Sequence, residues 1–230
     1  MKKLLVVFGA LLIMSALPAF AQYPATGPGW YYVDYYSNNI PGSAPDQVFR
    51  VINSGQGGTP LTVPTGNICA NFYVFDNNQE MIECCACLLT PNELASASVQ
   101  TQLTGGAGHV PLTGISPQAG VLKVVLTQPN STSGTGCDPT NAGKGLYTAD
   151  TTQGAAYMTH VQNSSTNPLA ATYSITETSV QAFPLSGLNQ WATDSVRRGD
   201  EADFLPQACG FVKYLGSGRV GTCGCSAPGF

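Results

Sequence analysis

Three of the chain's eight cysteines crowd into four positions, at Cys84, Cys85 and Cys87 in the stretch ECCACLLT that runs from 83 to 90. The others are Cys69, Cys137, Cys209, Cys223 and Cys225. An even number of cysteines favours disulfides wherever no thiol buffer keeps sulfur reduced, and four bridges admit roughly a hundred pairings. Strand geometry narrows that field. Alternate residues of a strand share a face, so Cys85 and Cys87 point one way and Cys84 the other. Cys223 and Cys225 share a face in the same manner if VGTCGCS is extended. The two groups are therefore expected to staple the carboxyl-terminal tail to the strand around Cys85, with Cys209 as a further partner.

The compartment follows from the amino terminus. Met1-Lys2-Lys3 precedes an apolar run from Leu4 to Leu17, and Pro18 leads into Ala19-Phe20-Ala21. A basic start, a short apolar centre and an A-x-A ending form a signal peptide, cut after Ala21. The apolar run is too short for a spanning helix, which needs about 20 residues. The expected organisation is residues 1–21 as signal peptide and 22–230 as a single disulfide-containing domain. The expected location is secreted or periplasmic, with no membrane insertion after cleavage. Lys2 and Lys3 leave with the signal, which takes the net charge from −4 to −6. So acidic a surface does not suit nucleic acid, whose binding relies on clustered Lys and Arg. Arg197-Arg198 is surrounded by Asp194, Asp200, Glu201 and Asp203 and is read as a solvated helix end.

Charged residues make up 10% of the chain, against about 25% in typical soluble domains. The apolar residues instead fall in compact blocks: 30–36, 47–53, 67–76, 79–89, 98–104, 120–128, 155–163 and 171–183. These are rich in β-branched and aromatic side chains, and clusters of Gly, Pro, Asn and Ser divide them. The expected fold is all-β, an antiparallel β-sandwich with a short C-terminal helix, stabilised by disulfides; a closed barrel is the alternative.

Asp76-Asn77-Asn78-Gln79 divides two of the blocks, and Asn tolerates the positive φ of a tight hairpin. A turn at Asn77-Asn78 sets Cys69 opposite Ala86, within one step of Cys85 and Cys87, so that a bridge across the hairpin is within reach. Thr90-Pro91-Asn92-Glu93 carries a capping-box pattern and predicts one or two helical turns through Leu94 and Ala95. From Asp200 to Leu215 acids come first and Lys213 late, with Gly216 just beyond, as in a helix that complements its dipole. Leu205, Phe211, Val212 and Leu215 lie near helical spacing, and Pro206 restricts how far back that helix begins. The apolar-poor segment 131–154 reads as a long loop.

No catalytic residues are assigned. The sequence has no G-x-S-x-G, no H-E-x-x-H and no phosphate-cradling loop, and Lys144 in GTGCDPTNAGKG is followed by Gly145 rather than Ser or Thr. His109 and His160 lack the paired spacing of metal ligands, and His160 reads as an outward strand residue. No cofactor and no metal are expected. C-x-C on a strand converges less well on zinc than C-x(2 to 4)-C on a turn, and the redox signature C-x-x-C is absent.

The candidate binding surface is the aromatic strand with Trp30, Tyr31, Tyr32, Tyr35 and Tyr36. Rings on its exposed face could stack on sugars or a partner protein, and an open first strand would invite pairing with a neighbour's sheet. The expected function is an exported, non-catalytic β-sandwich protein with a structural or surface-interaction role. One alternative is a carbohydrate- or ligand-binding module that uses strand 30–36; another is a metal or thiol-redox protein built on the cysteine cluster. The expected partners are a protein, through edge-strand self-association, or a glycan.

Overall fold

The computed structural model describes residues 30–37, 46–55, 66–104, 119–129, 136–140, 154–163, 173–184 and 201–215. The expected signal segment 1–21, His109, Cys223 and Cys225 lie outside them. Among these described residues nine strands run in chain order: β1 Trp30–Ser37, β2 Val48–Asn53, β3 Ile68–Asp76, β4 Met81–Leu89, β5 Leu94–Ser98, β6 Ala119–Thr127, β7 Gly154–Asn163, β8 Tyr173–Ser179 and β9 Ala182–Pro184. One helix follows, α1 Glu201–Tyr214. The strands form two antiparallel sheets, one ordered β4-β3-β6-β1-β9 and the other β5-β2-β7-β8. The two sheets remain separate, so the sandwich holds and the barrel does not.

Helix α1 adds a third layer. Between the sheets lies a cluster that includes Phe49, Val51, Phe72, Val74, Leu122, Val124 and Met158. A second cluster, with Tyr73, Phe75, Met81, Val125, Leu205 and Val212, fills the space between α1 and the outer face of the first sheet. Strand β3 is consequently buried at every position and β4 at all but one. A strand covered on both faces carries apolar residues continuously instead of alternating, as ICANFYVFD does. Strand β2 has cover on one face only and alternates.

Four local expectations are corrected. The hairpin loop is longer than two residues: Asp76 N–H bonds to Glu80 O, and the Asp76 carboxylate accepts from the N–H groups of Asn78 and Glu80. The positive φ falls on Gln79, not on an asparagine. The pairing shifts accordingly, Cys69 faces Leu88 instead of Ala86, and no bridge crosses the hairpin at Cys69.

The capping box forms its bonds without starting a helix. Glu93 Oε2 accepts from Thr90 N–H and from the Thr90 hydroxyl, but Asn92 takes a positive φ that turns the chain out of helical geometry. Leu94–Ser98 is strand β5, which pairs with β2.

The block at 98–104 is not a strand beyond Ser98. Residues Val99–Leu103 form a single wide helical turn in which Val99 and Leu103, four apart, are buried and Thr101 is exposed. Its open N–H groups are caught by Ser98 Oγ, which takes Thr101 N–H, and by Asp46, which takes that of Gln100.

Pro206 does not mark the start of α1 but sits inside it. The helix buries Leu205, Cys209 and Val212, while Phe211 and Leu215 face outward.

Candidate interaction surface

The sulfur cluster proves to be part of the frame. Cys84 on β4 is bonded to Cys209 on α1, and Cys69 on β3 to Cys137, each with Cα atoms 5.6 Å apart. Cys85 and Cys87 are disulfide-bonded as well, and no free cysteine is present among the described residues. Cys84 joins the cluster beneath α1 whereas Cys85 and Cys87 join the cluster between the sheets, the division that strand alternation requires. The bridge at Cys137 fixes the described part of the long 131–154 segment. There Tyr73 donates its hydroxyl to Pro139 O at 2.8 Å, and Asp138 lies 3.8 Å from Lys213 on α1.

Among its described side chains, from Tyr31 to Tyr36, the aromatic strand does not present a row of rings; the Trp30 side chain lies outside the described residues. Tyr32 and Tyr36 are buried in the core between the sheets, and Tyr31 packs partly buried against the cluster beneath α1. Tyr32 donates its hydroxyl to Gly154 O at 2.8 Å, and Tyr36 donates to Phe75 O at 2.9 Å. Burial pushes the Tyr32 phenol up to about 12, with Tyr157 a lesser cause. Tyr36 and Tyr73 are raised too, first by burial and then by Asp76 and Asp138 respectively. Tyr35 alone among the strand's described rings is largely exposed. Strand β1 is covered on both sides only over its first residues. It pairs with β6 along Tyr31–Ser37 and with β9 along Trp30–Tyr32.

A polar contact between the sheets was not read from the sequence. His160 on β7 points inward, and its Nε2 lies 3.3 Å from Asp34 Oδ2 on β1. The exposed Tyr35 ring stacks on the imidazole with centroids 4.7 Å apart. Nδ1 is buried and has no hydrogen-bond partner among the described residues. Acid and imidazole are two of the three parts of a hydrolytic triad; no described hydroxyl or thiol bonds to Nδ1 as the third. The clue lay in alternation: His160 shares parity with Ala156 and Met158, which are core residues.

The most open features lie elsewhere. β8 ends its sheet, and six of its seven residues are exposed, on both faces. On α1, Phe211 and Tyr214 point outward with Leu215 just beyond the helix, Tyr214 being 87% exposed, while the half-exposed Phe204 ring stacks on Phe75.

The chain was compared with protein-family profiles, curated proteins and solved structures, and no match was found in any of the three.

Proposed function

We propose that the protein is an exported, non-catalytic β-sandwich that acts through its surface, in a structural or interaction role. The observation that carries this reading is the fate of the sulfur. The six described cysteines, the densest chemical grouping in the sequence, are all spent on bridges, one of which ties α1 to β4. Such bridges persist outside the reducing cytoplasm, which agrees with the signal-like amino terminus. Among the described residues no helix is long and apolar enough to cross a membrane. The open strand β8 and the outward apolar side of α1 supply surfaces for contact.

Fractionation of cells that express the full chain tests the reading. The expected product begins at Gln22, lies outside the cytoplasmic membrane, and resists thiol alkylation until a reductant is added. A cytoplasmic product with its leader intact and alkylatable thiols contradicts the proposal. So does a turnover that Cys84→Ser abolishes while the fold survives.

A further inference from the structure

We propose that β8 is the site of self-association, where a second copy of this chain adds its own β8 antiparallel to the first and joins two four-stranded sheets into one of eight. The proposal rests on the interaction reading above and names the partner.

Among the described strands, β8 pairs with β7 alone, from Tyr157↔Ser179 to Asn163↔Tyr173. The remaining edges of the two sheets differ. β4 is buried at all but one of its nine positions, while β5 has five residues and β9 three. Among the described residues, then, β8 is the long open edge. It also buries little within its own chain. Thr176 and Thr178 share a face with His160 and Met158, the inward side of β7, yet both are exposed. A strand held by a single neighbour with both faces wet gains the most from a second neighbour.

Monomeric proteins guard such edges with lysine, proline, a bulge or a covering loop. YSITETS has no lysine and no proline, and its pairing with β7 has no bulge. Its one charge, Glu177, is already turned back across the sheet to Arg50. The edge is thus electrically neutral towards an identical edge.

The sequence also suits a two-fold centred on Thr176. Thr176 then meets Thr176 of the second copy, Ser174 meets Thr178 on the same face, and Ile175 meets Glu177 on the other. Hydroxyl pairs of this kind stabilise antiparallel strands, and no like charges stand opposite each other. Sliding the centre to Glu177 sets two carboxylates face to face and is disfavoured.

Two measurements test the proposal on the full mature chain. The first is mass by light scattering across a concentration series. The wild type is expected at twice the chain mass, and Ile175→Lys with Thr176→Lys should raise the dissociation constant at least about tenfold, or about 1.4 kcal/mol. Both positions are exposed, and an unchanged melting temperature of the diluted monomer confirms that the fold is intact. The second is cross-linking. Thr176→Cys places two thiols across the axis and should give a disulfide-linked dimer on mild oxidation; Ser174→Cys, whose thiols lie far apart in this register, should not. A wild type that stays monomeric at the highest concentration, a dimer indifferent to the lysines, or equal cross-linking at both positions overturns the proposal. A monomer that is nonetheless exported and fully oxidised leaves the general reading standing and removes only this partner.

Discussion

Gly120 sits where two strands approach too closely for a side chain. A Cβ there would fall 1.9 Å from Phe75 O and 2.7 Å from Tyr36 Oη. The Tyr36 ring faces Gly120 across the β1–β6 pair, and its hydroxyl reaches Phe75 O. The glycine makes room for the tyrosine, and the tyrosine covers the glycine. Gly120→Ala is expected to cost about 1–3 kcal/mol in denaturant unfolding, because backbone rather than a mobile side chain must move. Asn53 is the other residue that the sequence did not reveal. It is fully buried at the end of β2, donates to Gly66 O and Leu89 O, and accepts from Gly55 N–H. Asn53→Leu leaves those carbonyls without their donor and should cost about 1–3 kcal/mol in the same measurement. Nothing in VFRVINSG marks this asparagine, since asparagines at strand ends are ordinarily turn residues. The buried tyrosines set the alkaline limit. An unfolded phenol ionises near pH 10, while the folded state holds Tyr32 protonated to about 12 and keeps Tyr36 and Tyr73 protonated as well. The folded state therefore binds more protons over that window, and stability that is full below pH 10 is lost as pH rises through 12. Melting temperature and phenolate absorbance should change together across that range. Simultaneous ionisation of all ten tyrosines near pH 10 without unfolding would contradict this.

Helix α1 has two apolar sides of different standing. Leu205, Cys209 and Val212 face the sheet, Phe204 lies at the border against Phe75, and Phe211, Tyr214 and the adjacent Leu215 face outward. Leu205→Ala should destabilise by about 2–5 kcal/mol, whereas Phe211→Ser should stay within about 0.5 kcal/mol in chemical denaturation. The helix was legible from its dipole pattern, but its spacing alone did not say which apolar residues turn inward. Strands were legible where β-branched and aromatic blocks are long, as at 67–76 and 120–128. Legibility failed where side chains compete for backbone groups. Ser98 and Asp46 draw the N–H groups of Gln100 and Thr101 into a turn, and Glu93 closes a loop over Thr90 that resembles a helix start. The contest at Gln100 is decided by a partner distant in sequence, since Asp46 lies 54 residues away.

At the scale of the molecule, covalent links tie together layers that strand pairing leaves separate. Cys84–Cys209 closes a sequence separation of 125 and fastens α1 to β4; Cys69–Cys137 closes 68 and fastens residues 136–140 to β3. Each is worth up to about 4–5 kcal/mol of unfolded-chain entropy. That cysteines would be oxidised was legible from their even number and the signal-like amino terminus; that Cys69 would choose Cys137 was not, because the choice turns on a hairpin register set by the Asp76 loop. The most direct measurement is peptide mapping of the unreduced protein isolated from its natural host. The account predicts cross-linked peptides that join Cys69 to Cys137 and Cys84 to Cys209, with Cys85 and Cys87 also oxidised. Reduced thiols at these positions, or thiolates gathered on a metal ion, would contradict it.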